Sequence, residues 1–455
     1  KSVSKNIKGV PKGTWVSRIT TSSHDKGTAF VTFDGHRTGD MKTYVYQTTD
    51  FGKSWEKLSA ADVGYAWIMR QDTVNPDLYF LGTEFGLYVS LDAGQNWARF
   101  KENLPKVAVH DMVIHPTEHD LILATHGRGV YIIDDISPMR ALNKDKLQEN
   151  MLLLPSRPSV MVEGGALQSF SGAGEFVGDN PSEVAVISYY LKKRHMFGDM
   201  KVNILDENDN IITTLVAGKR RGINRVEWPM RLKAPKFPPS TSLVPGFFGP
   251  RVAEGEYKVE IIKGKKKHYT TVELVADPRS KHTKADRQAQ HDLSMKLYDS
   301  INDLTFKLSQ LKDVNTQLDA IEDLSSSAKK KAKKWSDSYT ALNKKYTATK
   351  VGAITGEEQL REKLGNLFGN VVGYNGKPSQ TQFEQADQLM AEVNVAIEAA
   401  QRVIDQQFSG INKSLEEAQQ IKLLERGAWN EKNGLGLAEQ KVNKQWFIQG
   451  APIMN

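Results

Sequence analysis

Through the first 140 residues, apolar positions come in short runs. Thr28-Ala29-Phe30-Val31-Thr32-Phe33, Tyr44-Val45-Tyr46-Gln47-Thr48, Leu78-Tyr79-Phe80-Leu81, Leu121-Ile122-Leu123-Ala124 and Val130-Tyr131-Ile132-Ile133 are rich in β-branched and aromatic residues. Gly, Asp, Asn and Pro cut between them, so the pattern predicts short strands joined by turns. A second such region covers residues 181–277, with runs at 184–190, 200–205, 211–215, 222–228, 255–262 and 269–274. Between two of these, Asp206-Glu207-Asn208-Asp209-Asn210 predicts a tight hairpin.

From residue 281 the period changes. Leu297, Leu304, Leu311 and Leu318 recur every seventh position, with Ile301 and Leu308 between them. Met390, Ile397, Ile404 and Ile411 do the same, with Val393 and Ala400 between. Such stripes predict long helices that pack on one another. With shorter helical segments around 328–349 and 355–368, the expectation is a helical bundle over 281–430 with long antiparallel helices. Asn315 falls at a core-type position, to fix register or to face solvent. Residues 431–455 read as a C-terminal tail. Residues 141–180, with Gly164, Gly165, Gly172, Gly174 and Gly178, read as an irregular linker. The stretch 233–251 carries Pro235, Pro238, Pro239, Pro245 and Pro250 and reads as an exposed loop.

A repeat lies inside the first region. Thr48-x-Asp50-x-Gly52-x-x-Trp55 returns 42 residues later as Ser90-x-Asp92-x-Gly94-x-x-Trp97, and a degenerate third copy follows at 124–134. A period of about 40–45 residues is that of a four-stranded propeller blade. In this spacing Asp shapes the turn with its own backbone, Gly supplies a φ that other residues resist, and Trp covers the hairpin. The motif resembles the Asp-box (BNR) repeat of sialidase-like, sortilin-like and xyloglucanase propellers. That resemblance implies that Asp50, Gly52, Trp55, Asp92, Gly94 and Trp97 are structural.

Residues 1–140 hold about three blades, whereas propellers close with about 4–8. The expected reading is the last blades of an Asp-box β-propeller, completed by a missing N-terminal part of the same protein, since the chain starts at Lys1 rather than Met. About 95 residues with six or seven strands suit an Ig-like β-sandwich over 181–277. There Gly222, Asn224, Trp228, Pro245-Gly246 and Gly255-x-Tyr257 resemble the Ig-like module of flagellar hook-capping proteins. The order of regions is similar to that of large bacterial sortilin-like or BNR-repeat proteins. The fold class is therefore mixed, mostly β and then α.

Composition narrows the chemistry. The 455 residues include no Cys, which excludes disulfides, thiolate metal sites and cysteine nucleophiles. The net charge of +7 is too diffuse to imply nucleic acid. No apolar run approaches the ~18 residues of a spanning helix. Phosphate-binding loops, zinc signatures and nucleophile elbows are absent from the sequence. Lysines over 329–350, with Trp335, Tyr339 and Tyr346, form a basic helical segment. Its solvated reading outweighs polyanion binding.

Six of the ten histidines lie in the first 126 residues. Blade loops converge at one face, so His110, Asp111, His126 and Arg128 are the candidate ligand-binding residues. No cofactor or metal is expected. Sialidase-like propellers use an arginine triad and a tyrosine nucleophile paired with Glu, and xyloglucanase-like ones use two carboxylates. No such set is singled out here, and catalytic residues are unassigned. The expected function is a non-catalytic binding or scaffold protein of the bacterial cell envelope or exterior, secreted, periplasmic or surface-held, whose propeller face binds a polymer, peptide or protein partner, with a larger envelope complex among the expected partners. The alternative is a carbohydrate-active hydrolase, sialidase- or xyloglucanase-like, with its catalytic residues largely upstream.

Overall fold

The computed structural model describes residues 2–60, 63–163, 174, 182–240, 248–350, 357–433, 445–446 and 448–449. It is mixed β and α. The first sheet holds β1 (Trp15–Thr21), β2 (Ala29–Gly35), β3 (Asp40–Thr48) and β4 (Glu56–Lys57) in sequential order. The second repeats this with β5 (Ala66–Gln71), β6 (Tyr79–Thr83), β7 (Gly86–Ser90) and β8 (Ala98–Phe100). The third has β9 (Val109–Ile114), β10 (Leu121–Thr125) and β11 (Val130–Ile133).

Neighbouring strands within these sheets are antiparallel, and the sheets stack face to face. Strand alternation sends Met69, Tyr79 and Leu81 toward Phe30 and Val45 of the first sheet. It sends Ile68, Phe80 and Leu87 toward Met112, Leu121 and Leu123 of the third. The two end faces of the stack differ. Ile7 and Val10 pack on Val31, Phe33, Tyr44 and Tyr46 at one end. At the other end Val113, Val130 and Ile132 are exposed. Helix α1 (Ser137–Arg140) is tied back to the second sheet by Arg140, which donates two bonds to the fully buried Asp72.

Next come two facing sheets. One orders β12 (Met151–Leu154), β14 (Ala185–Leu191) and β17 (Gly222–Trp228), with β20 (Gln445–Trp446) at its edge. The other orders β13 (Ser159–Met161), β19 (Lys266–Ala276), β18 (Gly255–Lys263), β15 (Met200–Leu205) and β16 (Ile211–Val216). Their shared core holds Trp228, Tyr189, Val202, Ile204 and Ile261, with Trp228 edge-on to Tyr257 at 5.2 Å.

The stretch read as a linker thus supplies two strands, because the apolar run Met151-Leu152-Leu153-Leu154 can pair with β14 before Pro155 ends it. Gly164, Gly165, Gly172 and Gly178 lie outside the described residues, as does Pro245. The tail region likewise adds β20 to β17, and β21 (Ile448–Gln449) to β8.

Residues 233–240 of the proline-rich stretch are docked rather than free, while Phe248 is exposed. Phe237 packs near Phe368 at 6.4 Å, Arg361 donates to the Pro238 carbonyl, and Ser240 donates to the buried Glu362 carboxylate at 2.9 Å.

The helices are α2 (Lys284–Asp319), α3 (Ser326–Tyr346), α4 (Leu360–Val372), α5 (Gln380–Asn412) and α6 (Arg426–Asn433). Thr283 with Asp286, and Ser379 with Gln382, form capping boxes at the starts of α2 and α5. The two long helices run parallel, not antiparallel as the stripes led one to expect. Leu293, Leu297 and Ile301 share a core with Ala386, Leu389 and Val393, while Leu311, Val314 and Leu318 share one with Ala400, Ile404 and Ile411. The return path is α3 followed by α4. Trp335 of α3 donates to the Leu311 carbonyl, and the end of α4 meets the start of α2 where Gln290 donates to the Val371 carbonyl. Their combined length, about 50 Å at 1.5 Å per residue, matches that of α2. Asn315 turns to Asp319 on the exposed side. Trp335 and Tyr346 are buried in the helix core, which leaves Lys329 and Lys330 solvated. No helix among the described residues is long and apolar enough to cross a membrane.

Candidate functional site

The antiparallel order of the stacked sheets gives them two distinct ends. Thr48 and Ser90 close β3 and β7 at one end, where the repeated turns lie. There Thr48 donates to Asp50 at 2.9 Å and accepts from the Gly52 amide at 2.9 Å. Asp50 in turn accepts from the Ser54 amide and hydroxyl at 2.9 and 2.6 Å. The second turn repeats the network with Ser90, Asp92, Gly94 and Asn96 at 2.7–2.9 Å. Phe51 and Gly52, and Ala93 and Gly94, all have positive φ. Trp97 donates to the Gly94 carbonyl at 3.1 Å, while Trp55 packs beside the core of Val31 and Phe33. The Ser54 bonds hold the Asp50 carboxyl down, to about 2.

The opposite end collects the β2–β3, β6–β7 and β10–β11 turns with the starts of β5 and β9. Five rings line up there. Tyr65 stacks on His36 at 4.9 Å and meets Trp67 at 5.6 Å. Trp67 lies 4.0 Å from His110, which lies 5.1 Å from His126. The row therefore crosses all three sheets. Its edges carry carboxylates. Asp34 holds His36 Nδ1 at 2.5 Å, and the Tyr65 hydroxyl donates to Glu84 at 2.6 Å. Burial, then the bond to Glu84, raises the Tyr65 pKa. Burial and the nearby His126 lower that of His110, against the opposing charges of Glu84 and Asp34. Trp67 Nε1 is buried with no hydrogen-bond partner among the described residues.

The expected site residues divide. His110 and His126 are brought together, and the His126 amide donates to the Ala108 carbonyl. Asp111, the next residue on β9, pairs with Arg18 of β1 at 2.7 Å instead. Arg128 is exposed at the tip of a turn whose Gly127 and Gly129 have positive φ. No group of three metal-type ligands forms among the described residues.

Sequence reading missed Tyr65, Trp67 and Glu84 and gave no role to His36. The blade period carried a signal for some of them. Trp67 and His110 are 43 residues apart, and Glu84 and His126 are 42 apart. The repeat seen in the turns extends to the ring end.

No family model matches the sequence, and no curated protein matches it. Among solved structures, the chain is similar to PorZ, a bacterial surface component of the type-IX secretion system of Porphyromonas gingivalis. Identity is 16% and TM-score 0.22, covering 57% of this chain and 38% of PorZ. It is similar to a GH74 enzyme of Niastella koreensis at 11% identity and TM-score 0.24, covering 57% and 46%. A third neighbour is YCF48 bound to D1 peptide, at 14% identity and TM-score 0.17, covering 32% and 64%. These neighbours are β-propeller proteins. The chain spans less than half the length of PorZ and of the GH74 enzyme.

Proposed function

We propose that the chain is part of a non-catalytic binding or scaffold protein of the cell envelope or exterior. Its three blades present the ring row to an extended polymer or peptide. The Asp-box arc is completed by further blades from the upstream part of the same protein, which cover Val113, Val130 and Ile132. The Ig-like sandwich (181–277) and the helical bundle (281–430) position this face.

The single observation that carries the reading is the continuous row His36–Tyr65–Trp67–His110–His126. Flat rings with polar edges, buried at Tyr65, half-buried at His36, Trp67 and His110 and exposed at His126, suit a ligand that is extended and stackable. The hydrolase reading draws on the Tyr65–Glu84 pair, which matches the tyrosine–glutamate type of sialidase-like sites. There Glu84 would act as the base for the Tyr65 hydroxyl.

Calorimetric titration of the full chain with neutral oligosaccharides and with extended peptides tests the proposal. Trp67→Ala and His110→Ala are each expected to weaken binding about tenfold or more. Unchanged binding in both variants would overturn it. Release of reducing sugar that Glu84→Gln abolishes would favour the hydrolase.

A further inference from the structure

Phe197, 87% exposed, is the most exposed large apolar side chain among the described residues, and its neighbour Met196 is 62% exposed. A lone surface apolar residue needs no explanation, but this pair sits at the tip of the β14–β15 loop in an unusual setting. The same loop carries Lys193 and Arg194, both exposed.

Two further basic loops are joined to it. The β16–β17 loop carries Lys219, Arg220 and Arg221. The His195 amide donates to the Lys219 carbonyl at 2.8 Å, and Lys219 Nζ donates to the Gly198 carbonyl at 3.1 Å. The β18–β19 hairpin carries Lys263, Lys265 and Lys266, and its Gly264 amide donates to the Asp199 carbonyl at 2.9 Å. Backbone bonds thus fix the three loops as one surface. Its acidic members are few. Asp199 lies within it, and Glu102 faces Arg220 at its edge. The far end of the same sandwich has the reverse charge, with Asp206, Glu207, Asp209 and Glu256 outnumbering Lys258, which pairs with Asp209, around one open cavity.

We propose that this basic, Phe197-tipped end docks on an anionic lipid bilayer. Charge complementarity and apolar insertion are the two signals that stable peripheral binding requires, and both are present at one tip. The apolar pair would enter the boundary between headgroups and acyl chains while the surrounding cations meet phosphates. A soluble polyanion would engage the cations but gain nothing from Met196 and Phe197. The proposal is independent of the ring row.

The test is flotation of the full chain with vesicles of phosphatidylcholine containing about a third phosphatidylglycerol, against phosphatidylcholine alone. Binding is expected to the anionic vesicles only, and to fall as salt rises. Met196→Ser with Phe197→Ser should weaken it about tenfold or more. Lys265→Glu with Lys266→Glu should do so more strongly, at roughly five-fold per charge removed. Lys329→Glu with Lys330→Glu on α3, a charge-matched control, should leave it unchanged. Binding that survives the Met196/Phe197 change, or that follows the α3 lysines, would overturn the proposal. So would binding of dextran sulfate with no binding to vesicles, or no binding to anionic vesicles at low salt.

Discussion

The two ends of the stacked sheets are made by different means. At the turn end, Asp50 and Asp92 bond groups no more than four residues away. At the ring end, His36, Trp67, His110 and His126 meet from positions far apart in sequence. A local turn closes its bonds as soon as it forms, whereas the ring row exists only after the sheets stack in register. One end is therefore a property of eight residues, and the other a property of the whole arc.

Substitutions can break this distinction, and the largest effect is expected at Gly94. Its φ is 83°, and an added Cβ would meet Leu58 at 3.2 Å. Gly94→Val should cost about 3 kcal/mol through strain and overpacking. At the ring end, Gly127 has a φ of 76° but open space around it, so Gly127→Ala should cost about 1 kcal/mol. Denaturant titration of both variants gives the comparison, and equal costs would erase the contrast.

A smaller difference is expected for polar groups. Asp92→Ala removes three short bonds and should cost about 2 kcal/mol, whereas Tyr65→Phe removes one and should cost about 1 kcal/mol. Amide hydrogen exchange on β7 and β5 reads each change locally. A larger cost for Tyr65→Phe would make the ring end the more rigid one.

The smallest expected effect is in pH dependence, which sharpens the contrast by separating the ends. Burial lowers the folded pKa of His110, so the unfolded chain binds the proton more readily. Stability present above the unfolded value of about 6.5 is lost as pH falls through the lower folded value. His110→Gln should flatten that mildly acidic limb. Asp50 acts in a different window. The stability it confers is present above the unfolded carboxylate range and lost only as pH falls through about 2. Unfolding followed across both windows would show two separate limbs, and a single merged limb would contradict the assignment.

What the sequence made legible follows the same division. The Asp/Gly/Trp spacing and the 42-residue offset exposed the turns and the stack, because each rests on local chemistry repeated once per blade. His110 and His126 were reachable as members of one blade. Trp67 was reachable only through its 43-residue offset from His110, and Tyr65 not at all, because an aromatic residue in or beside a strand reads as core until the neighbouring sheet is placed. Met151–Leu154 was hidden by the glycines after it, and the parallel course of α2 and α5 by the broken return through α3 and α4. Heptad stripes mark which face is buried. They do not state direction when two further helices make the return between them.

The reversal of charge along the sandwich bears on how the molecule would approach a surface. Cations gather at the loop tip around Phe197, and carboxylates at the Asp206 hairpin. The strands between them, such as β15 with its six residues, span about 20 Å. At physiological ionic strength the screening length is about 8 Å. A charged surface that attracts the near end is therefore nearly invisible to the far one. The two ends would not cancel: whichever end faces the surface would feel it alone, so the basic tip would be held and the acidic hairpin turned away. Orientation would then be set by the arrangement of charge rather than by its modest net excess.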